Sequence, residues 1–131
     1  VEGASNFSFN SLTFCGHPSM STKYASPALG RYEPDLDTAL HDADVVMTLR
    51  IQYERFEETL ELDLDEYKEA YQLTSEKLDQ AKGDAIVMHP GPVNYVEISE
   101  SVYQSEQSVI RNQIANGVAI RMAVLSRFLS R

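Results

Sequence analysis

The sequence predicts an α/β domain with a mainly parallel sheet covered by helices, on three observations. Two near-continuous apolar runs, Val45-Val46-Met47-Thr48-Leu49 and Ala85-Ile86-Val87-Met88, have the length and composition of buried strands. Segments of helical composition lie between and around them. The last part of the chain carries one long helical stripe, with Ile110, Ile114, Val118, Met122, Leu125 and Leu129 spaced by four, four, four, three and four. Alternating strands and helices pack most simply as a layered α/β unit with right-handed crossovers.

Taken in order, Leu12-Thr13-Phe14-Cys15 reads as a strand ended by Gly16-His17-Pro18. Between Pro18 and Pro34 the chain is broken by Pro27 and Gly30, so any helix there is short. Leu36 to Ala43 reads as a short helix with Asp35 as its N-cap. Asp63 to Tyr71 and Thr74 to Lys82 are helical in composition. Thr74 is placed to cap the second, and Glu76 lies in its first turn, where the helix end is positive. Gly117 interrupts the final helix at some cost. Met88, Met122 and the tyrosines read as core or rim.

The 131 residues fit one domain, 1–131, with enough chain to bury an ordinary core. Twenty acidic side chains against eleven basic ones give a formal charge of −9. Such a chain has few cations with which to displace counterions from nucleic acid or to sit on an anionic membrane, so neither is expected as a partner. The charge is uneven: eleven acids and four bases fall between Glu54 and Asp84, and no acid follows Gln107. A solvated face is the simplest reading of the acidic stretch. The single Cys15, in an apolar strand, excludes an internal disulfide framework and reads as a core thiol in a reducing, cytoplasmic setting. No signal peptide or membrane-length apolar run is visible. His17, His41 and His89 lack metal-ligand spacing, and no glycine-rich phosphate loop, GxSxG elbow or HExxH occurs.

Ligands of parallel sheets bind beyond the carboxyl ends of strands, and two such ends carry unusual chemistry. Arg50 follows the first apolar run, where a guanidinium fork suits a carboxylate or phosphate. Gln52, two residues on, offers a donor and an acceptor, and Glu54 and Arg55 could brace the arginine. An internal ion pair at a strand end would explain Arg50 equally well. The second end is His89-Pro90-Gly91-Pro92. Its prolines make it stiff and remove two N–H donors, leaving carbonyl acceptors, and a cis Gly91–Pro92 bond would aim those at a ligand. His89 could serve as a base or donor, although a lone histidine at a turn more often makes a local hydrogen bond.

Together the two ends resemble the aspartate carbamoyltransferases. Val46-Met47-Thr48-Leu49-Arg50-Ile51-Gln52-Tyr53-Glu54-Arg55 is similar to the segment after a strand of that family's aspartate domain. Asp84-Ala85-Ile86-Val87-Met88-His89-Pro90-Gly91-Pro92-Val93-Asn94 is similar to a second family signature. Tyr67 to Lys82 resembles the loop and helix between them, and Gln107 to Ile110 with Asn116 to Leu125 resembles the C-terminal helix. The resemblance is collinear from about Asp37 to Leu129 and weak before Leu36.

The resemblance implies a three-layer αβα, Rossmann-like domain, the C-terminal aspartate-binding half of the enzyme. It implies transfer of a carbamoyl group from carbamoyl phosphate to L-aspartate in pyrimidine synthesis, with no cofactor and no metal. Arg50 and Gln52 match positions that bind L-aspartate. Gly91 and Pro92 match positions whose backbone contacts the carbamoyl group, with His89, Pro90, Glu54 and Arg55 in support. The family's other domain, with its Ser-Thr-Arg-Thr phosphate motif, a site histidine and a lysine from across a subunit boundary, has no counterpart among these residues. The chain alone is therefore expected to be inactive and to need a carbamoyl-phosphate-binding domain or chain, within a homo-oligomer that is a trimer in the family. The family also shows Arg-Gly before Val-Glu-Ile. Here Asn94-Tyr95-Val96-Glu97-Ile98 is one residue shorter and has no arginine. A non-catalytic assembly module with the same fold is the alternative. A sister enzyme for ornithine or another amine ranks below it, since a cationic substrate would call for carboxylates in place of Arg50 and Gln52.

Overall fold

Parallel pairing organises the chain. The computed structural model describes residues 11–18, 30–51 and 63–129. Its strands are β1 (Thr13–Cys15), β2 (Arg31–Glu33), β3 (Val45–Met47) and β4 (Ile86–Met88). Its helices are α1 (Leu36–Leu40), α2 (Leu64–Tyr71), α3 (Ser75–Leu78), α4 (Glu100–Tyr103) and α5 (Ile110–Leu129). β1 pairs with β2, and β3 with β4, both parallel. The α/β class with parallel strands holds. Among the described residues the strands form two two-stranded sheets rather than one continuous sheet.

Local chemistry sets most of the boundaries. Asp35 caps α1, its Oδ1 accepting from the Thr38 N–H at 2.7 Å. Hydrogen bonding to the Thr38 side chain first, and this backbone bond second, hold the exposed carboxyl below the usual carboxylate range. Asp63 caps α2 by accepting from the Asp65 N–H, and Lys77 Nζ covers the other end by donating to the Glu69 and Ala70 carbonyls. Thr74 caps α3 as expected, but that helix stops at Leu78, not Lys82. Beyond it the chain turns through Gln80 and Ala81 and reaches across to Asp42 and Ala43, with Asp42 N–H donating to Gln80 O and Lys82 N–H to Ala43 O. Gly30 is needed because a Cβ there would run into the carbonyl oxygen of Leu12.

β4 is the centre of the second sheet. On one side it pairs with β3 in the register Val45↔Ile86, Val46↔Val87, Met47↔Met88. On the other, Val87 donates to Gln107 O and accepts from Val109 N–H, a parallel bridge to Ser108. The core gathers around it: Leu40, Leu73, Leu78, Val87, Ile98, Val102 and Ile110 are buried together, with Leu36, Val46 and Val93 packed on them.

Two apolar features differ from expectation. Val45, Met47 and Ile86 are exposed, so this sheet is covered on the Val46 and Val87 side only. A continuous apolar run predicts cover on both faces, but a second layer must supply that cover, and none of the described residues does so here. The stripe on α5 forms a helix through Gly117 as predicted. Yet only Ile110 is buried, and Ile114, Val118, Met122, Leu125 and Leu129 are exposed, so Met122 is not core. Periodicity reports an amphipathic face and not what covers it. No helix among the described residues is long and apolar enough to cross a membrane.

Cys15 lies half-buried at the end of β1. Burial first, then the nearby Glu33 and Asp35 carboxylates, push its thiol up to about 11. The thiolate is the nucleophile, so raising the pKa lowers reactivity at neutral pH. Iodoacetamide at pH 8 is expected to alkylate Cys15 roughly a hundredfold more slowly than an ordinary cysteine, with the rate climbing through pH 10. Leu73→Ala is expected to cost about 2–5 kcal/mol in urea unfolding, whereas Leu125→Ala stays within about 0.5 kcal/mol.

Candidate functional site

The register of β3 on β4 brings the two unusual strand ends to one edge of the sheet. Past the last paired residues, Thr48 N–H still donates to Met88 O at 3.0 Å. Further along, the Asn94 Nδ2 amide donates to Ile51 O at 3.4 Å, tying the turn after β4 to the residue between Arg50 and Gln52. Arg50 lies three residues beyond β3 and is exposed. Gln52, Glu54 and Arg55 lie outside the described residues. Ile51 is buried and anchors this arm.

The turn after β4 continues the strand's alternation. Ala85, Val87 and His89 fall on one face and are all buried, His89 completely, while Pro90 points the other way and is exposed. A fully buried imidazole must find partners for both nitrogens. Nδ1 accepts from the Gly91 N–H at 2.8 Å, and Nε2 lies 2.8 Å from Glu97 Oε1. A backbone N–H can only donate, so Nδ1 holds the lone pair and Nε2 carries the proton that it gives to Glu97. His89 is thus a neutral imidazole held at both ends, the local hydrogen-bonding role rather than that of a poised base. Its backbone N–H donates to Gln113 Oε1 on α5 at 2.9 Å.

Glu97 is 2% exposed. Oε1 also accepts a long bond from Asn94 N–H at 3.4 Å, while Oε2 is buried without a hydrogen-bond partner. Leaving one buried oxygen unpaired costs about 1–3 kcal/mol, which the site tolerates to keep the other on His89. Asn94 Oδ1 accepts from Val96 N–H at 3.2 Å, closing a tight turn. Tyr95 follows Asn94 in this turn. It takes a positive φ of 59°, its carbonyl accepts from Gln72 Nε2 at 2.9 Å, and its ring meets Tyr103 edge-on at 5.9 Å. Arg111 lies over the other ring of that pair at 5.5 Å. The loop is therefore closed by ring packing and hydrogen bonds to its backbone.

The Gly91–Pro92 bond is cis. Pro90 and Pro92 have no N–H, and the Gly91 N–H is taken by His89. Among the described residues, nothing donates to the carbonyls of Pro90, Gly91 or Pro92. The turn is a strip of acceptors with no spare donor, suited to a ligand group rich in N–H. Neither Glu97, Asn94 nor Gln113 was singled out by sequence reasoning for a role. Glu97 lies eight residues from His89 and Gln113 twenty-four, on separate segments beyond a turn, so no single helix or strand links them in the sequence. Among the described residues no three His, Cys, Asp or Glu side chains gather as a metal site.

Gly91 has φ +73°, and a Cβ there would lie 3.3 Å from Ile114 Cδ1 on α5. Gly91→Ala is expected to lose about 1–3 kcal/mol in urea unfolding, since both the backbone conformation and the close approach favour glycine.

Comparison with known proteins agrees with the fold. The family model "Aspartate/ornithine carbamoyltransferase, Asp/Orn binding domain" matches residues 19–128. The aspartate carbamoyltransferase catalytic subunit of Coxiella burnetii (strain Dugway 5J108-111) is 52% identical over 98 residues, covering 74% of this chain and 31% of that protein. The catalytic subunit of Xanthomonas oryzae pv. oryzae (strain MAFF 311018) is 50% identical over 96 residues, covering 72% of this chain and 30% of that protein. Among solved structures, aspartate transcarbamoylase from Trypanosoma cruzi in complex with carbamoyl aspartate and phosphate aligns with a TM-score of 0.63 at 30% identity, over 74% of this chain and 30% of its own. Ornithine carbamoyltransferase from Pyrococcus furiosus aligns with a TM-score of 0.65 at 26% identity, over 75% and 31%. The chain thus spans about a third of the length of the curated relatives it matches. With the match running over residues 19–128, the chain belongs to the aspartate/ornithine carbamoyltransferase family, in its Asp/Orn-binding domain.

Proposed function

We propose that this chain is the aspartate-binding half of an aspartate carbamoyltransferase, a single domain that works with a carbamoyl-phosphate-binding domain or chain. The observation that carries this reading is the acceptor strip Pro90-Gly91-Pro92 at the same sheet edge as the Arg50 arm, tied to it through Asn94 and Ile51. A carbamoyl group ends in an NH2 with two donors, and the strip supplies acceptors. A dicarboxylate needs a cationic fork, and Arg50 supplies one. Aspartate carbamoyltransferases among the relatives favour a dicarboxylate over ornithine.

In the reaction the amine nitrogen of L-aspartate bonds to the carbamoyl carbon. The C–O bond to phosphate breaks, the phosphate leaves with the electron pair, and the displaced amine proton goes with it. Arg50, with Gln52, holds the aspartate carboxylates. The carbonyls of the turn orient the carbamoyl NH2, so its carbon faces the amine. Neither task needs a proton moved by His89 or a cofactor. The gain comes from positioning two reactants and from fixed dipoles around them. Binding and stabilising the phosphate fall to the other half, so the isolated chain holds one substrate and performs no transfer. The active assembly is then an oligomer in the cytoplasm, the trimer of the family.

Titration of the chain with L-aspartate or succinate is expected to show weak binding that Arg50→Ala reduces about 10- to 100-fold, the worth of charged hydrogen bonds to a carboxylate. An unchanged titration would remove Arg50 from the site. A carbamoyl-transfer assay on the isolated chain is expected to show no turnover, and a normal enzymatic rate would overturn the half-site reading.

A further inference from the structure

The chemistry of the Pro90-Gly91-Pro92 strip depends on what happens to a single N–H. Pro90 and Pro92 are donorless by covalent structure, but Gly91 is not. Its N–H would otherwise sit in the middle of the strip, where it would attract a carbonyl or carboxylate oxygen and repel an NH2. In this structure the Gly91 N–H donates to the buried His89 Nδ1, with an N···N distance of 2.8 Å, and is thereby engaged inside the protein. The imidazole can accept it only in the tautomer protonated at Nε2. Glu97 Oε1, 2.8 Å from Nε2 and buried, selects that tautomer because a carboxylate oxygen accepts. Gln113 fixes the backbone of His89 from α5. Three hydrogen bonds, the one to Glu97 fully buried, thus converge on one histidine that reaches no solvent.

We propose that His89 is a positioning residue that sets acyl-group specificity: by engaging the Gly91 N–H it leaves the turn with acceptors alone, so the site selects an acyl group ending in NH2 over one ending in CH3. Glu97 acts through it, by holding the tautomer. This inference rests on the aspartate-site reading and adds to it a residue that never touches the ligand.

The test compares N-carbamoyl-L-aspartate with N-acetyl-L-aspartate, which differ by NH2 against CH3 at nearly equal size, with succinate as the control lacking any acyl group. The wild-type chain is expected to bind the carbamoyl compound at least about tenfold more tightly than the acetyl compound, since a methyl leaves the carbonyls unpaired. In His89→Gln the side-chain amide can still reach Glu97 from the place of Nε2 but no longer accepts from Gly91. There the ratio is expected to fall to within about threefold of unity, with succinate binding unchanged. In His89→Asn the side-chain oxygen replaces Nδ1, and the ratio is expected to be retained. An unchanged ratio in His89→Gln, or equal loss in both variants, overturns the proposal. Should the variants not fold, the wild-type chain still decides. A scalar coupling between the Gly91 amide nitrogen and His89 Nδ1 is expected in the complex with N-carbamoyl-L-aspartate, and its absence overturns the proposal. A wild-type chain that binds neither succinate nor N-carbamoyl-L-aspartate overturns the aspartate-site reading itself, and this inference with it.

Discussion

β4 has neighbours on both sides, and the placement of every site residue follows from how it pairs. With Val46 beside Val87 and Met47 beside Met88, the chain leaves both strands at the same edge. One exit leads to Arg50 and the other to His89. A slip of one residue would turn Val87 and His89 to the outer face and bring Ile86 and Met88 inward. That slip is opposed by the burial of Ala85 and Val87 and by the second pairing to residues 107–109. Parallel pairing needs a long crossover, so the stretch from Thr48 to Ala85 becomes the connection, whose far part in α3 places Leu78 in the core beside Val87.

The same register explains why a histidine is buried. His89 continues the inward face of β4 by simple alternation, and nothing about its own polarity puts it there. Once inside, it must be satisfied, and the surrounding chain is arranged to do so: Glu97 for Nε2, the Gly91 N–H for Nδ1, Gln113 for its amide. In a low-dielectric setting an unpaired member of such a set is costly, so the set is held or lost together. The orphaned Glu97 Oε2 shows which of the two carboxylate oxygens the structure keeps satisfied.

The loop that carries Glu97 is held in place around Tyr95. Ring packing on Tyr103, with Arg111 above that ring, and the Gln72 bond to the Tyr95 carbonyl hold this segment. The parallel bridge between Leu73 and Ile98 ties the end of the loop to the start of α3.

Much was legible in the residues alone. Asp35 and Thr74 announce their caps because capping chemistry is local, and the two apolar runs announce β3 and β4 because burial demands apolar side chains. Pro90 and Pro92 declare their missing donors in the covalent structure, and Arg50 stands out as a charge beside an apolar run. The short β2 and α4 went unseen, since three or four residues carry no period. The exposure of the α5 stripe went unseen too, because a pattern states which side is apolar and not what lies against it. The sequence by itself determined the class of fold, the capped helix starts, the donor-poor turn and, by resemblance, the family. Only the tertiary structure decided that the two strand ends share an edge, that His89 accepts from Gly91, and that Glu97 holds its tautomer. The first follows from pairing register between distant segments, and the other two from the burial of His89, which leaves its ring only the Gly91 N–H and Glu97 as partners.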